Sequence, residues 1–197
     1  MKYILDFDEV LFNTSALKTK MAELGISETE RGHEALARIE ELDPEFSFTS
    51  LVFPGALKFL KEHGSDCIIV SSATSETAEN NTDLEKQLAF QAEKIARSEV
   101  EKLVQSVHVV GISKKEALRE LQHSLTSEGE EVVFVDDREK YVREAHALGI
   151  RSIWMDRGGK GYVTNSEGVP TMLEFSRIGS FAEFVELVEK WQNQQKK

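Results

Sequence analysis

Short apolar segments of the kind that form β-strands alternate along this chain with longer segments of helical periodicity. Two of them, Ile68-Ile69-Val70 and Val132-Val133-Phe134-Val135, are apolar at every position, which is typical of strands covered on both faces. Strands separated by helices indicate right-handed crossovers and a parallel sheet. We therefore predict an α/β chain, a three-layer α/β/α Rossmannoid with a mostly parallel central sheet of about five strands. The strand segments are 2–6, 67–71, 107–111, 131–135 and 150–155.

The segments of helical periodicity fill most of the gaps between these strands. Ser180 precedes the last of them and Glu183 follows three positions later, which is the pattern of a capping box. The segment 157–180 contains glycine and has no clear period, so we predict an irregular loop there. The predicted helices are 56–62, 83–105, 114–124, 139–148 and 181–191, and a break near Ser98 is the alternative for the long helix 83–105.

A longer excursion separates the first two predicted strands. It runs from Thr14 to Phe53 and holds two helical stretches, 15–24 and 28–42. We predict that residues 14–53 form a small helical cap inserted into an α/β core made of 1–13 and 54–197. The alternative is that the insertion only packs on the flank of the sheet.

Composition excludes several classes of protein. The formal net charge of the 197 residues is −11, so the surface repels nucleic acid and anionic lipid, and no basic patch offsets this. Cys67 is the single cysteine, which rules out an intrachain disulfide. The sequence has no apolar run of membrane-spanning length and no signal-peptide pattern, so we expect a cytoplasmic protein. It does not indicate an oligomeric state.

Polar residues follow the predicted strands closely. Because a parallel sheet gathers the carboxyl ends of its strands at one edge, residues far apart in sequence can share one crevice there. Four carboxylates, a hydroxyl and an ammonium group in that crevice would hold a divalent cation and a phosphate. The residues are Asp6, Asp8, Ser71, Lys114 and the pair Asp136-Asp137.

These residue types suit phosphoryl transfer. One carboxylate of the first pair can attack phosphorus, and the other can protonate the leaving group if its pKa is raised. Asp136-Asp137 offer hard oxygen ligands for Mg²⁺, which offsets the repulsion between a carboxylate and a phosphate dianion. Lys114 adds a second positive charge, and Ser71 offers a hydroxyl donor to a phosphoryl oxygen.

In this order the residues resemble the four motifs of the haloacid dehalogenase (HAD) superfamily, and the similarity covers nearly the whole chain. An insertion between the first and second motifs is similar to the helical cap of the first type in that family. The resemblance implies that Asp6 is the nucleophile and a metal ligand, and that Asp8 is the general acid and base. It further implies that the backbone carbonyl of Asp8 and Asp136, with or without Asp137, hold Mg²⁺, that Ser71 binds the phosphoryl group and that Lys114 offsets its charge. Ser72 and Ala73 are further candidates to bind the phosphate through their backbone N–H groups.

Three points stay open at this stage. Glu9 stands where glycine is common in cap-bearing members of the family, which bears on the cap hinge. The phosphate-facing lysine is Lys114 or Lys115, and the helical pattern Lys-x-x-Ala-Leu favours Lys114. Asp136-Asp137 can also be read as a simple cap of the helix that begins near Glu139, because aspartate is a favoured N-cap residue.

The resulting hypothesis is a Mg²⁺-dependent phosphatase that cleaves a small phosphorylated metabolite through a phosphoaspartyl intermediate on Asp6. A phosphomutase on the same fold is an alternative. A dehalogenase fits less well, because it needs neither Mg²⁺ nor a second acid at Asp8. A catalytically silent binding or scaffold protein is the alternative from a different class. The sequence does not disclose the substrate or the cap residues that select it.

Overall fold

The computed structural model describes residues 1–27, 33–73, 81–111, 113–157 and 175–195. Its described part contains one sheet of six strands in the order β3-β2-β1-β4-β5-β6, and all neighbouring strands run parallel. The predicted parallel α/β architecture is therefore confirmed. The strands are β1 (Lys2–Leu5), β2 (Cys67–Ser72), β3 (Ser106–Val110), β4 (Val132–Asp136), β5 (Arg151–Met155) and β6 (Ser176–Ile178).

Seven helices flank the sheet in the described part of the chain. They are α1 (Thr14–Glu23), α2 (His33–Leu42), α3 (Pro54–His63), α4 (Asn81–Arg97), α5 (Lys115–Ser127), α6 (Glu139–Ala147) and α7 (Phe181–Gln195). The apolar side chains of α3, α4 and α7 pack on one face of the sheet, and those of α5 and α6 pack on the other. This three-layer arrangement buries both faces of the central strands, as their continuous apolar runs predict.

The strand order places a topological switch point beside β1. The chain steps from β1 through β2 to β3 in one direction and then returns to β4, which pairs with the opposite side of β1. Open α/β sheets bind their ligands in the crevice beyond the carboxyl ends of the strands at such a point. We therefore expect the functional site at the residues that follow β1, β2 and β4.

The insertion leaves and rejoins the core at one paired junction. Asn13 N–H donates to the Leu51 carbonyl, and Phe53 N–H donates to the Leu11 carbonyl, both at 2.9 Å. Apolar side chains of α1 and α2 belong to the same cluster as the sheet residues on the α4 side. Arg97 of α4 also pairs with Glu40 of α2 at 2.5 Å. The insertion thus packs on α4, and part of its predicted second helix, residues 28–32, lies outside the described residues.

One prediction about the elements is wrong. The segment predicted as an irregular loop, 157–180, contains the short strand β6 at Ser176–Ile178, so the sheet has six strands; residues 158–174 lie outside the described part. The helical segment 83–105 is not continuous but has the break near Ser98 that was the alternative: α4 ends at Arg97, and a short 3-10 helix follows at Val100–Leu103. The break falls at Glu99, whose backbone is left-handed (φ 62°) and cannot continue an α-helix.

Helix ends follow the sequence signals where those signals are strong. Ser180 Oγ accepts from the Glu183 N–H at 3.3 Å, which is one half of the predicted capping box of α7. The Glu183 carboxylate accepts from the Ser180 hydroxyl at 3.0 Å and from the Gly179 N–H at 3.1 Å. Gly149, just beyond α6, has φ 80°, a conformation that favours glycine. Among the described helices, none combines the length and the apolar character that crossing a membrane requires.

Gly64 is needed for close approach rather than for its backbone angle. Its φ is −61°, which any residue adopts, but a Cβ atom there would lie 1.7 Å from the Leu103 carbonyl oxygen.

We expect Gly64→Ala to lower the free energy of unfolding by about 2 kcal/mol or more, because the backbone has to shift. Urea unfolding measures this. At Gly111 the added Cβ meets only Leu84 at 3.5 Å. Gly111→Ala should therefore stay within about 0.5 kcal/mol of the wild type, and equal effects of the two variants would contradict the account.

Candidate active site

The carboxyl ends of β1 and β4 bring the first and last predicted motifs together. Leu5 pairs with Val135 in the sheet, and the Asp6 N–H continues the ladder by donating to the Val135 carbonyl at 2.9 Å. Asp6 therefore follows β1 directly beside Asp136, the last residue of β4. Both carboxylates are buried, at 4% and 0% exposure. The predicted convergence of these two distant motifs is present.

A buried lysine bridges these two aspartates. Lys114, the residue before α5, has 0% exposure; its Nζ lies 2.7 Å from Asp6 Oδ1 and 2.6 Å from Asp136 Oδ2. Burial opposes its charge, but the two carboxylates outweigh that effect and raise the pKa of Lys114 above its usual value. The ring of Tyr141 faces the ammonium at 5.0 Å. The cation is therefore fixed between the ends of the two central strands.

Asp137 completes a cluster of three carboxylates with Asp6 and Asp136. One oxygen of each residue lies within 4.8 Å of the others. Burial raises the pKa of Asp136 and Asp137, and the neighbouring carboxylates raise them further. Oδ1 of Asp137 is buried and has no hydrogen-bond partner among the described residues. A buried, unpartnered carboxylate oxygen among like charges is the environment that a divalent cation relieves.

The helix-capping reading of the acidic doublet is wrong. Helix α6 begins at Glu139 with Arg138 as its N-cap residue, and no side chain caps it. Asp136 Oδ1 instead accepts from the Arg138 N–H at 2.8 Å, which orients its carboxylate at the end of β4. Asp137 is held through its backbone, since its carbonyl accepts from the Trp154 indole N–H at 2.9 Å. The doublet is positioned for the site rather than for the helix.

Asp8 belongs to a second polar group beside this cluster. Its Oδ1 lies 2.5 Å from Lys94 Nζ and accepts from the Thr14 hydroxyl, and its Oδ2 accepts from Gln91 Nε2 at 2.7 Å. Burial favours the protonated form, but Lys94 and these hydrogen bonds outweigh it and lower the pKa of Asp8. The sequence expectation of a raised pKa is therefore not met in this state. The Asp8 carboxylate lies outside the three-carboxylate cluster.

Ser71 joins this second group, whereas Ser72 faces the other side of the sheet. The buried Ser71 Oγ accepts from Gln91 Nε2 at 2.8 Å, so its own O–H remains available to donate. Ser72 Oγ accepts from the Tyr141 hydroxyl at 3.4 Å. The Ala73 N–H donates to the Val110 carbonyl at 2.9 Å. The Ala73 N–H is therefore already bonded to the neighbouring chain segment at the end of β3, and the expectation that it donates to a phosphate is wrong.

Gln91 and Lys94 of α4 are site residues that the sequence analysis missed. Each is only 3% exposed, and Lys94 lies near the rings of Phe7 and Phe90. The signal was present as polar residues at positions 91 and 94, on the helix face that also carries Ile95 and Ser98. Periodicity identifies such a face as buried, but it does not indicate what the face packs against.

The backbone conformation of Glu9 shows why glycine suits this position. Glu9 has a left-handed backbone with φ 56°, a conformation that costs most residues other than glycine free energy. Its carboxylate compensates by accepting from the Ser15 N–H at 2.7 Å, in the first turn of α1. Arg157 donates from Nε to the Glu9 carbonyl at 2.8 Å and stacks on Phe53 at 3.8 Å. The departure from the family pattern is thus accommodated by contacts with both ends of the insertion.

Lys114 and Lys115 are separated clearly by their surroundings. Lys114 is enclosed by the site, whereas Lys115 is exposed. We expect Lys114→Met to lower the free energy of unfolding by about 3–5 kcal/mol in metal-free protein, because it leaves buried carboxylates without their counter-charge. Urea unfolding measures this, and Lys115→Met is the matched control, expected within about 0.5 kcal/mol of the wild type. A cost below about 1 kcal/mol at Lys114 would contradict the described burial.

The sequence matches no protein-family model and no curated protein, but solved structures share its fold. An L-2-haloacid dehalogenase superposes with a TM-score of 0.57 at 14% identity, over 95% of this chain and 98% of that one. The D,D-heptose 1.7-bisphosphate phosphatase from B. bronchiseptica, complexed with magnesium and phosphate, gives 0.56 at 13%, over 96% and 99%. A haloacid dehalogenase-like family protein from Streptococcus pneumoniae gives 0.52 at 13%, over 95% and 97%.

These identities are too low to transfer an activity, but the agreement extends over nearly the full length of each chain. It matches the parallel sheet and the switch point beside β1 described above. The chain has the fold of the haloacid dehalogenase superfamily.

Proposed function

We propose that this protein is a Mg²⁺-dependent phosphatase that hydrolyses a small phosphorylated metabolite through a phosphoaspartyl intermediate on Asp6. The observation that carries the proposal is the cluster of Asp6, Asp136 and Asp137 around buried Lys114 at the switch point. Asp8 and Ser71 lie beside it, joined through Gln91. A nucleophile, an acid or base, a hydroxyl donor and a cation site are the parts that phosphoryl transfer needs.

The carboxylate cluster fits a hard divalent cation. Asp6, Asp136 and Asp137 are the side chains that would hold Mg²⁺, and the Asp8 backbone carbonyl is the further ligand implied by the family resemblance. The unpartnered Oδ1 of Asp137 supports this fit, because it lacks a donor within the described chain. When bound, Mg²⁺ supplies positive charge that offsets the repulsion between the Asp6 carboxylate and a phosphate dianion.

In the first transfer, Asp6 attacks the phosphorus atom. Oδ1 of Asp6 is held by Lys114 and by the Phe7 N–H at 2.7 Å, while Oδ2 accepts no hydrogen bond from the described residues. We therefore assign Oδ2 as the attacking atom. A P–O bond forms to Asp6 as the bond to the leaving oxygen breaks, and Asp8 gives that oxygen a proton.

In the second transfer, a water molecule attacks the phosphorus of the acyl phosphate. Asp8 takes a proton from the water, the bond to Asp6 breaks, and inorganic phosphate leaves. Lys114 remains paired with Asp6 throughout and offsets its charge, and the Ser71 hydroxyl donates to a phosphoryl oxygen. Lys94 and the hydrogen bonds to Asp8 lower its pKa, and a phosphate dianion bound beside it raises that pKa again by like-charge repulsion.

The comparisons support a hydrolase and leave two reaction types to separate. One similar fold is a phosphatase complexed with magnesium and phosphate, and another is an L-2-haloacid dehalogenase. A dehalogenase needs a carboxylate nucleophile but neither a metal cluster nor a second carboxylate poised as an acid. The three-carboxylate cluster and the separately held Asp8 therefore favour phosphate ester cleavage.

The insertion 14–53 is the part of the chain that we propose as the cap. Its first helix contacts the acid/base directly, because Thr14 of α1 donates to Asp8. A short insertion packed this near the site favours a small substrate. The acidic composition supports the expectation that neither nucleic acid nor a membrane surface is a partner. A cytoplasmic location also stays a prediction.

The proposal predicts Mg²⁺-dependent release of inorganic phosphate. We expect the purified protein to hydrolyse 4-nitrophenyl phosphate and one or more members of a panel of phosphorylated metabolites, and chelation should abolish turnover. Asp6→Asn should lower kcat by at least about a thousandfold, because it removes the nucleophile. The matched control is Asp66→Asn, a partly exposed aspartate paired with Lys2 away from the site, which should keep full activity.

Other outcomes separate the alternatives. Phosphate moved within the substrate without release would indicate a phosphomutase. Halide release from a 2-haloacid without Mg²⁺ would indicate a dehalogenase. No turnover across the panel together with no Mg²⁺ binding would overturn the proposal in favour of a silent binding protein.

Metal binding can be tested without turnover. We expect Mg²⁺ to raise the free energy of unfolding of the wild type by about 2.7 kcal/mol at one hundred times its dissociation constant. Asp137→Asn should lose most of this gain, yet be as stable as the wild type without the ion, because it removes like-charge repulsion. Thermal unfolding with and without Mg²⁺ measures both, with Asp66→Asn as the control. A full Mg²⁺ response in Asp137→Asn would contradict the ligand assignment.

A further inference from the structure

We propose that Lys94 and Gln91 of α4 are positioning residues that hold the Asp8 carboxylate and the Ser71 hydroxyl in their working orientation. The inference rests on the proposed phosphatase function and deepens it. It assigns to α4 a role that the four motifs do not cover. Helix α4 orients the acid/base Asp8 toward the leaving oxygen, whereas the nucleophile Asp6 is held by Lys114 at the start of α5.

The contacts define a connected polar group. Lys94 Nζ lies 2.5 Å from Asp8 Oδ1, and Gln91 Nε2 lies 2.7 Å from Asp8 Oδ2. The same Gln91 nitrogen lies 2.8 Å from Ser71 Oγ. Because donors from α4 engage both carboxylate oxygens, the plane of the Asp8 carboxylate is fixed. One side chain, Gln91, sets the distance between the proton donor and the hydroxyl that we assign to the phosphoryl group.

Asp8 needs this support because the strand no longer supplies it. Strand β1 ends at Leu5, and the backbone turns through the left-handed Glu9 just after Asp8. Phe7, in between, is fully buried in the apolar cluster on the α4 side. Without lateral donors, the Asp8 side chain would be fixed only by its own backbone and by Thr14 of the insertion.

Burial argues against a purely structural role for the pair. Lys94 and Gln91 are each 3% exposed, so both have lost their hydration. A buried ion pair is commonly no more stable than apolar residues of similar volume in its place. Leucine or methionine at these two positions would therefore pack α4 onto the sheet at least as well. We therefore explain the polar side chains of Lys94 and Gln91 by their contacts with Asp8 and Ser71.

The two catalytic aspartates are thus held from different helices. Lys114, before α5, pairs with Asp6, and Lys94, within α4, pairs with Asp8. Helices α4 and α5 pack on opposite faces of the sheet. Each carboxylate has its own buried cation, and Lys94 keeps the Asp8 side chain away from the three-carboxylate cluster.

The test uses two aryl phosphates of nearly the same size. 4-Nitrophenyl phosphate releases a stable phenolate that hardly needs a proton, whereas phenyl phosphate releases a basic one that does. We expect Lys94→Met to lower kcat for phenyl phosphate about 10- to 100-fold, with a loss below about 3-fold for 4-nitrophenyl phosphate and no change in KM. Gln91→Met also removes the hydrogen bond to Ser71, so it should slow both substrates, and phenyl phosphate more. Lys86→Met, an exposed lysine on the same helix, should change neither rate.

A double-variant cycle then tests whether the residues act through Asp8. In an Asp8→Asn background there is no acid left to aim, so Lys94→Met should cause no further loss with phenyl phosphate. If Lys94 instead contacts the substrate, its removal still lowers the rate in that background, and the inference is overturned.

The remaining outcomes are also decisive. Equal losses with both substrates, a rise in KM alone, or unfolding of both Lys94→Met and Gln91→Met in a thermal melt would show a structural or binding role and overturn the inference. No turnover by the wild type means that the proposed function itself is wrong. Wild-type turnover that Asp6→Asn abolishes keeps that function, whatever the α4 variants do.

Discussion

The buried contact of Lys114 with Asp6 and Asp136 is the interaction on which the site depends. Two adjacent parallel strands that both end in a carboxylate would place two like charges side by side in a water-poor crevice. One ammonium at 2.7 and 2.6 Å makes that arrangement tolerable. The same pairing fixes the start of α5 against the sheet edge. Lys114 therefore both balances the charge of the two carboxylates and holds the packing of α5 against the sheet.

Most of the fold could be predicted from the sequence because its signals are local. An apolar run such as Val132-Val133-Phe134-Val135 indicates a strand covered on both faces, and a polar residue just after it lies at the carboxyl edge. Parallel topology then does the rest, since it brings such edges together regardless of separation in the chain. Asp6, Ser71, Lys114 and Asp136 met at that edge for this reason. The three-residue strand β6 was missed because so short a segment has no period to detect.

The second half of the site could not be predicted because it depends on how a helix is rotated. The periodicity of α4 shows that one of its faces is buried. Gln91 and Lys94 interrupt the apolar residues of that face, and their role is clear only once their partners from other elements are known. Aspartate before a helix is also an ordinary cap, and only the folded structure shows that Oδ1 of Asp137 instead has no partner among the described residues. Long-range partners of polar side chains are tertiary information.

The guanidinium of Arg157 has a mechanical consequence for the insertion. It donates to the carbonyls of Glu9 and Val10 on the outgoing chain and stacks on Phe53 of the returning chain, and it lies two residues after the end of β5. Both connecting segments are thereby anchored at one point of the central sheet. If the helices of the insertion move over the crevice, the hinge of that motion must lie within the insertion, because Arg157 holds both connecting segments. The length of the insertion then limits how far its helices can move.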